Sequence, residues 1–177
     1  MGRSEQLELG LDAGGAPRPP ASPRPGRGRR GAAEPVTVYV DGASKGNPGL
    51  AAIGVAVSRQ GRTLKEIAQV IGQATNNEAE YTALITGLEA ALKLGATQVR
   101  AVSDSQLLVR QVNGVYKAKN ARIVPLLGRV RTLVSRLERF EIQHVDRSRN
   151  TRADQLANQA IKEHLSQAKH KEPKQTG

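Results

Sequence analysis

One long helical stretch runs from Asn76 to near Gly95, and the strand-patterned segment after it, Gln98–Ser103, can rejoin a sheet only across that helix. A helical crossover returns a strand parallel to an earlier one, so this fourth strand is expected beside the first and parallel to it. Ahead of the helix, Val36–Asp41 alternates Val with Thr, Tyr and Asp, and Ala51–Ser58 and Thr63–Ile71 follow as two more strands. The Gly, Asn and Pro content of Gly42–Pro48 reads as a turn, and Arg59-Gln60-Gly61-Arg62 joins the second strand to the third. These three strands predict an antiparallel meander. Asn76 or Asn77 is expected to cap the long helix. Short helices are expected near Ser105–Val112 and Ile123–Leu137, a fifth strand at Phe140–Val145, and a closing helix from Thr151 to about Leu165. The order β-β-β-α-β-α-α-β-α predicts an α/β fold, a mixed five-stranded sheet with helices on both faces.

The segments flanking this pattern differ in kind. Residues 1–35 hold most of the prolines, with six Arg and four acids, and bury too little apolar surface to offset their ordering entropy. They are read as a disordered tail, residues 36–165 as one compact domain, and residues 166–177 as a basic C-terminal tail. Gln6-Leu7-Glu8-Leu9 faintly resembles a sliding-clamp docking peptide but lacks an aromatic anchor. The Arg24–Arg30 cluster suits loose contact with nucleic acid as well as it suits an inert tail.

Charge points to the partner class. The chain has 27 Lys+Arg against 16 Asp+Glu, a net +11, and Val36–Ile161 alone carries 17 basic and 10 acidic residues. Such an excess favours polyanions. With three Tyr, one Phe and no Trp, base stacking is poorly served, and recognition of a duplex through backbone and groove fits better. There is no cysteine, which excludes disulfides and Cys-based zinc sites. No apolar run approaches a membrane span, and the N-terminus lacks the apolar stretch of a secretory signal. A cytoplasmic protein without a membrane partner is therefore expected.

Against this basic background a few acids stand in unusual places. Asp41 ends the first strand and Asp104 the fourth. If these strands are parallel neighbours, both carboxylates emerge at one sheet edge, where open α/β sheets place their sites. On the long helix, the apolar stripe Leu84, Leu88, Ala91 and Leu92 leads back four residues to Glu80, which therefore heads the buried face. Glu78 falls with Thr82, Ile85 and Glu89 on a more exposed side. Asp154, in the first turn of the last helix, reads by itself as an ordinary N-terminal helix acid. Converging carboxylates repel one another unless cations neutralise them, and all-oxygen ligation suits Mg²⁺, with Mn²⁺ as a substitute.

Four stretches carry a family resemblance: T-V-Y-V-D-G-A-S-K-G-N-P-G, A-T-N-N-E-A-E-Y-T-A-L, V-S-D-S-Q-L-L-V-R-Q and R-S-R-N-T-R-A-D-Q-L-A. In this order and spacing the chain resembles the ribonuclease HI family over nearly all of Val36–His164. The resemblance implies a ribonuclease H-like fold with Asp41, Glu80, Asp104 and Asp154 as the catalytic, metal-binding quartet. It implies two Mg²⁺ ions, or Mn²⁺, and an RNA–DNA hybrid as substrate. The RNA strand would be hydrolysed by a two-metal-ion mechanism that leaves 5′-phosphate and 3′-hydroxyl ends. It also implies that Asn47, Asn76, Asn77 and Gln106, with Ser44, Thr75 and Asn150 as weaker cases, touch the nucleic acid. Short amides suit a 2′-OH, since they donate and accept without reading base identity.

The chain departs from the longer members in three ways. The loop Asp146–Asn150 is short and contains no His, while His144 falls in the fifth strand as a packed or surface residue. Glu78 stands where some members carry a basic residue. The basic protrusion and Trp-rich helix are absent, and Lys117, Lys119 and Arg122 sit in a compact loop that suits phosphate contact or plain solvation. A catalytically weak hybrid-binding module and a domain serving a replication or reverse-transcription partner are the competing readings.

Overall fold

A computed structural model describes residues 34–171. The Pro- and Arg-rich residues 1–33, with the Gln6–Leu9 peptide and the Arg24–Arg30 cluster, lie outside the described residues, as do residues 172–177. No helix among the described residues is long and apolar enough to cross a membrane.

Strands β1 (Val36–Gly46), β2 (Gly49–Arg59) and β3 (Arg62–Ala74) form the antiparallel meander. Helix α1 (Asn76–Lys93) crosses over to β4 (Gln98–Ser103), which pairs parallel with β1 through Val36–Tyr39 against Val99–Val102. Helices α2 (Gln106–Val112) and α3 (Ile123–Val134) lead to β5 (Arg139–His144), parallel to β4. Helix α4 (Thr151–Lys171) closes the domain, and the sheet order is β3-β2-β1-β4-β5.

Side chains alternate across a strand, and here the alternation sorts the helices. Val38, Val40, Ile53, Val55 and Val57 join one buried cluster with residues of α1, α2 and α3. Ala52, next to Ile53 on β2 and so on the opposite face, joins Ala160 and Ile161 of α4 in another. Gly54 lies on that second side, where a methyl group would come within 1.9 Å of the Ala153 carbonyl oxygen. The bare backbone at this point lets the start of α4 lie directly on β2.

Several expectations need correction. Strand β1 does not end at Asp41 but runs on to Gly46, because Ser44 and Lys45 pair with Ala51 and Leu50 and the turn shrinks to Asn47-Pro48. Asp41 instead lies two residues past the last β1–β4 pair, and Asp104 directly follows β4. Neither Asn76 nor Asn77 caps α1: Thr75 does, in a capping box with Glu78. Ile85, grouped by spacing with the exposed side of α1, is 3% exposed, because α3 packs against α1 where the sheet does not. Helix α4 continues past Leu165 and Ser166 to Lys171. Its last turns are built from good helix formers, with Gln159 donating to Glu163 (2.7 Å) and Ser166 to the Lys162 carbonyl (2.9 Å).

Candidate active site

The four acids arrive on four separate elements and line one polar cavity of about 380 Å³. Asp41 comes from β1, Glu80 from the first turns of α1, Asp104 from the end of β4 and Asp154 from the start of α4. Asp41 and Glu80 are each 5% exposed, while Asp104 and Asp154 are half-buried. The close fit of α1 onto β1 depends on Gly42, where a side-chain carbon would fall 2.3 Å from the Glu80 nitrogen. The residue after the first acid thus allows the second to sit beside it.

Crowding shows in the electrostatics. Burial, then repulsion from Asp104 and Asp154, pushes the Asp41 carboxyl up to about 7 from its ordinary 3.8. Arg147 opposes this rise, and a hydrogen bond shared with Asp104 adds to it. Burial and the charges of Asp41 and Asp104 likewise raise Glu80 well above its usual range, against the Gly42 N–H that donates to it. Glu80 Oε2 is buried without a hydrogen-bond partner. Glu78 behaves oppositely: the Thr75 N–H (2.8 Å) and hydroxyl (2.8 Å), with Arg122 at 3.8 Å, hold it below its usual range. The two glutamates, two residues apart, therefore do different things. Glu78 caps the helix and Glu80 enters the cavity.

Two cavity residues were missed in the sequence. Arg147, in a 3₁₀ turn over Arg147–Arg149, donates to Asp154 Oδ1 at 2.5 Å and is a fixed cation among the four acids. Asn158, one turn after Asp154, lines the cavity and donates from Nδ2 to the Asp154 carbonyl at 2.9 Å. A basic pair inside a five-residue loop next to the closing helix was the available signal for Arg147. The loop conformation that separates Arg147 from Arg149 was not. His144 is exposed at the end of β5 and does not line the cavity.

The residues expected at nucleic acid divide. Asn47, Asn76 and Gln106 are exposed, and Asn47 Oδ1 accepts the Asn76 N–H at 3.2 Å, joining the β1–β2 hairpin to the start of α1. Asn77 is half-buried, with its Oδ1 buried and unpartnered. Ser44 lines the cavity edge, but its hydroxyl bonds the Gly46 and Ala74 carbonyls. Thr75 is committed to the helix cap. Asn150 is corrected outright: it is 2% exposed, with its side chain turned into the protein, so burial removes it from a binding surface.

Four carboxylates face the cavity beside the Arg147 guanidinium and the Asn76 and Asn158 amides, two of them pushed toward the protonated form by burial and then by their neighbours, and one Glu80 oxygen is left orphaned. The carboxylates are the donor set a hard divalent cation would satisfy. Among the described residues no three His, Asp or Glu side chains converge tightly enough to grip an ion as they stand, and Asp154 is paired with Arg147. The fit therefore rests on donor type, shared placement and charge.

Several known proteins share this sequence pattern and fold. A family model described as reverse transcriptase-like matches residues 39–160. A bifunctional protein of Mycobacterium tuberculosis is 44% identical over 128 residues, 71% of this chain and 35% of that protein, so the chain spans about a third of its length. The ribonuclease HI of Halobacterium salinarum is 43% identical over 139 residues, covering 78% of this chain and 67% of the relative. Its solved structure, described as an RNase H1, superposes with a TM-score of 0.71 at 41% identity, over 72% of this chain and 98% of that one. An RNase H1 isolated from compost, solved in complex with an RNA/DNA hybrid, is 38% identical with a TM-score of 0.70, over 73% of this chain and 99% of that one.

Proposed function

Since the chain belongs to the ribonuclease H family, we propose that it hydrolyses the RNA strand of RNA–DNA hybrids, with Asp41, Glu80, Asp104 and Asp154 holding two divalent cations. The observation that carries this reading is the gathering of four carboxylates, from four elements, into one cavity of an otherwise basic protein. Mg²⁺ suits the all-oxygen donors, with Mn²⁺ as a substitute. The chemistry that such ions supply when bound is neutralisation of the scissile phosphate and a lowered pKa for the attacking water.

The protein's own residues do the rest. The four acids set where the phosphate can approach, and burial of Asp41 and Glu80 fixes two of them rigidly. Arg147 is a permanent cation at the Asp154 side, suited to a non-bridging phosphate oxygen. In-line attack by water breaks the bond from phosphorus to the 3′-oxygen. That oxygen leaves as a 3′-hydroxyl after taking a proton, and the phosphate stays on the 5′ end of the next nucleotide. Selection of the hybrid falls to Asn47, Asn76, Asn77 and Gln106: the exposed amides of Asn76 and Gln106 can donate to and accept from a 2′-OH, while Asn47 and Asn77, with their oxygens engaged or buried, have their NH₂ groups to offer. The compost relative's complex with a hybrid supports this choice of substrate.

The test uses purified full-length protein with labelled RNA–DNA hybrid, duplex DNA, duplex RNA and single strands, with Mg²⁺ or EDTA. Cutting confined to the RNA strand of the hybrid, leaving 5′-phosphate ends and abolished by EDTA, is the expected result. Hybrid binding without any cutting would move the assignment to a binding module.

A further inference from the structure

Asn150 occupies a position that an ordinary helix cap does not explain. It directly precedes α4, where Asn is common because its side-chain oxygen accepts a first-turn N–H. Here that oxygen accepts nothing: Oδ1 is buried without a partner. The residue is 2% exposed, and its polarity is spent through Nδ2, which donates to the Val40 carbonyl and to Asp104 Oδ1, both at 2.9 Å. Its backbone joins the same neighbourhood. The Asn150 N–H donates to the Arg147 carbonyl at 3.0 Å, and its own carbonyl accepts the Asp154 N–H at 3.2 Å. Val40 is the residue before Asp41. One buried side chain and its peptide groups therefore connect the strand carrying Asp41, the carboxylate of Asp104 and the helix turn carrying Asp154.

We propose that Asn150 is a positioning residue that ties Asp104 to the Asp41 segment of β1, so that both carboxylates face the one cavity in which a cation would bind. This rests on the cation reading of the cavity given above. Asp41 and Asp104 lie close enough to share a hydrogen bond, and two neighbouring carboxylates repel once both are ionised, so the Asn150 donor gives Asp104 an anchor that does not depend on Asp41. A carboxamide is suited to the task. It offers two protons from one nitrogen, one for each oxygen it must bind, and it carries no charge that would compete with a bound cation. A carboxylate here would face two acceptors, and a lysine or arginine would neutralise the acids in the cation's place.

The inference is tested with Asn150→Ala and Asn150→Ser in the full chain. Thermal unfolding first establishes a temperature at which each variant is folded. Mn²⁺ binding is then titrated calorimetrically, and hybrid cleavage is measured across a Mn²⁺ series. Loss of a residue supporting metal ligands typically weakens affinity or activity by about 10- to 100-fold. Asn150→Ala is expected to weaken Mn²⁺ binding and lower kcat within that range, to leave KM for the hybrid within about twofold, and to regain much of its kcat at high Mn²⁺. Asn150→Ser, which keeps one donor, should fall between it and the unsubstituted protein, and carries the test if the Ala variant does not fold. Unchanged Mn²⁺ affinity with a lowered melting temperature would reduce Asn150 to a brace of the fold and overturn the inference. A raised KM with unchanged kcat would return it to the substrate surface, also overturning it. Absence of Mn²⁺ binding by the unsubstituted protein would instead overturn the cation reading itself, and the inference with it.

Discussion

Glu80→Gln is expected to lower kcat/KM for hybrid cleavage by about a thousandfold or more, roughly 4 kcal/mol of transition-state stabilisation, whereas Glu78→Ala retains most of the activity. The substitution keeps the shape of the side chain and removes only its capacity for charge. Glu80 is buried against Asp41, with one oxygen that no protein group satisfies. A glutamine there relieves repulsion, so Glu80→Gln should fold at least as well as the unsubstituted protein, and its lost activity cannot be ascribed to unfolding. Glu78 lies two residues away, with its carboxylate turned back to Thr75. Its removal dissolves a capping box and should lower stability by about 1 kcal/mol. Steady-state cleavage of labelled hybrid, paired with melting temperatures, separates the two effects. Equal activity losses in both variants would show that the division of labour between the glutamates is wrong.

The second large effect concerns stability without metal. Asp41 is held up to about 7 in the fold, against 3.8 ordinarily. Between those values the folded protein keeps a proton that the unfolded chain has released. Stability therefore falls as pH rises through this window and is lowest above about 7. Glu80 is displaced in the same direction and adds to the fall. In EDTA the protein should melt at a higher temperature at pH 5 than at pH 8. Asp41→Asn should remove much of that slope and stabilise the metal-free protein at pH 8 by up to ~4 kcal/mol, while abolishing cleavage. Mg²⁺ at pH 8 should raise the melting temperature of the unsubstituted protein more than that of the variant. Melting curves across pH with EDTA or Mg²⁺ measure all of this. A flat profile, or an Asp41→Asn protein weaker at pH 8, would mean that the acids are not crowded as described.

The strand pattern and the helical crossover made the element order readable, because period-2 alternation and a long apolar stripe are local signals that the packing obeys. The stripe through Leu84 and Leu88 likewise pointed to Glu80, since one face of α1 does meet the sheet. The failures share a physical cause. Gly42–Gly46 is small and polar and reads as a turn, but cross-strand pairing with Gly49–Ile53 overrides that preference. Thr75-x-x-Glu78 is a capping-box signature that the adjacent Asn pair obscured. Arg147, Asn150 and Asn158 take their roles from the 3₁₀ turn and the α4 start lying beside β1 and Asp104, which no local pattern encodes. Asn150 resembled a surface amide in sequence and proves to be an interior donor.

Crystals soaked in Mn²⁺, with and without a cleavage-resistant hybrid, and examined by anomalous scattering would address the shared cavity most directly. An ion bridging Asp41, Glu80 and Asp104, joined by a second about 4 Å away once hybrid is bound, is the predicted result. A cavity that stays free of Mn²⁺ while hybrid lies across it, or ions bound only at other acids, would contradict the account.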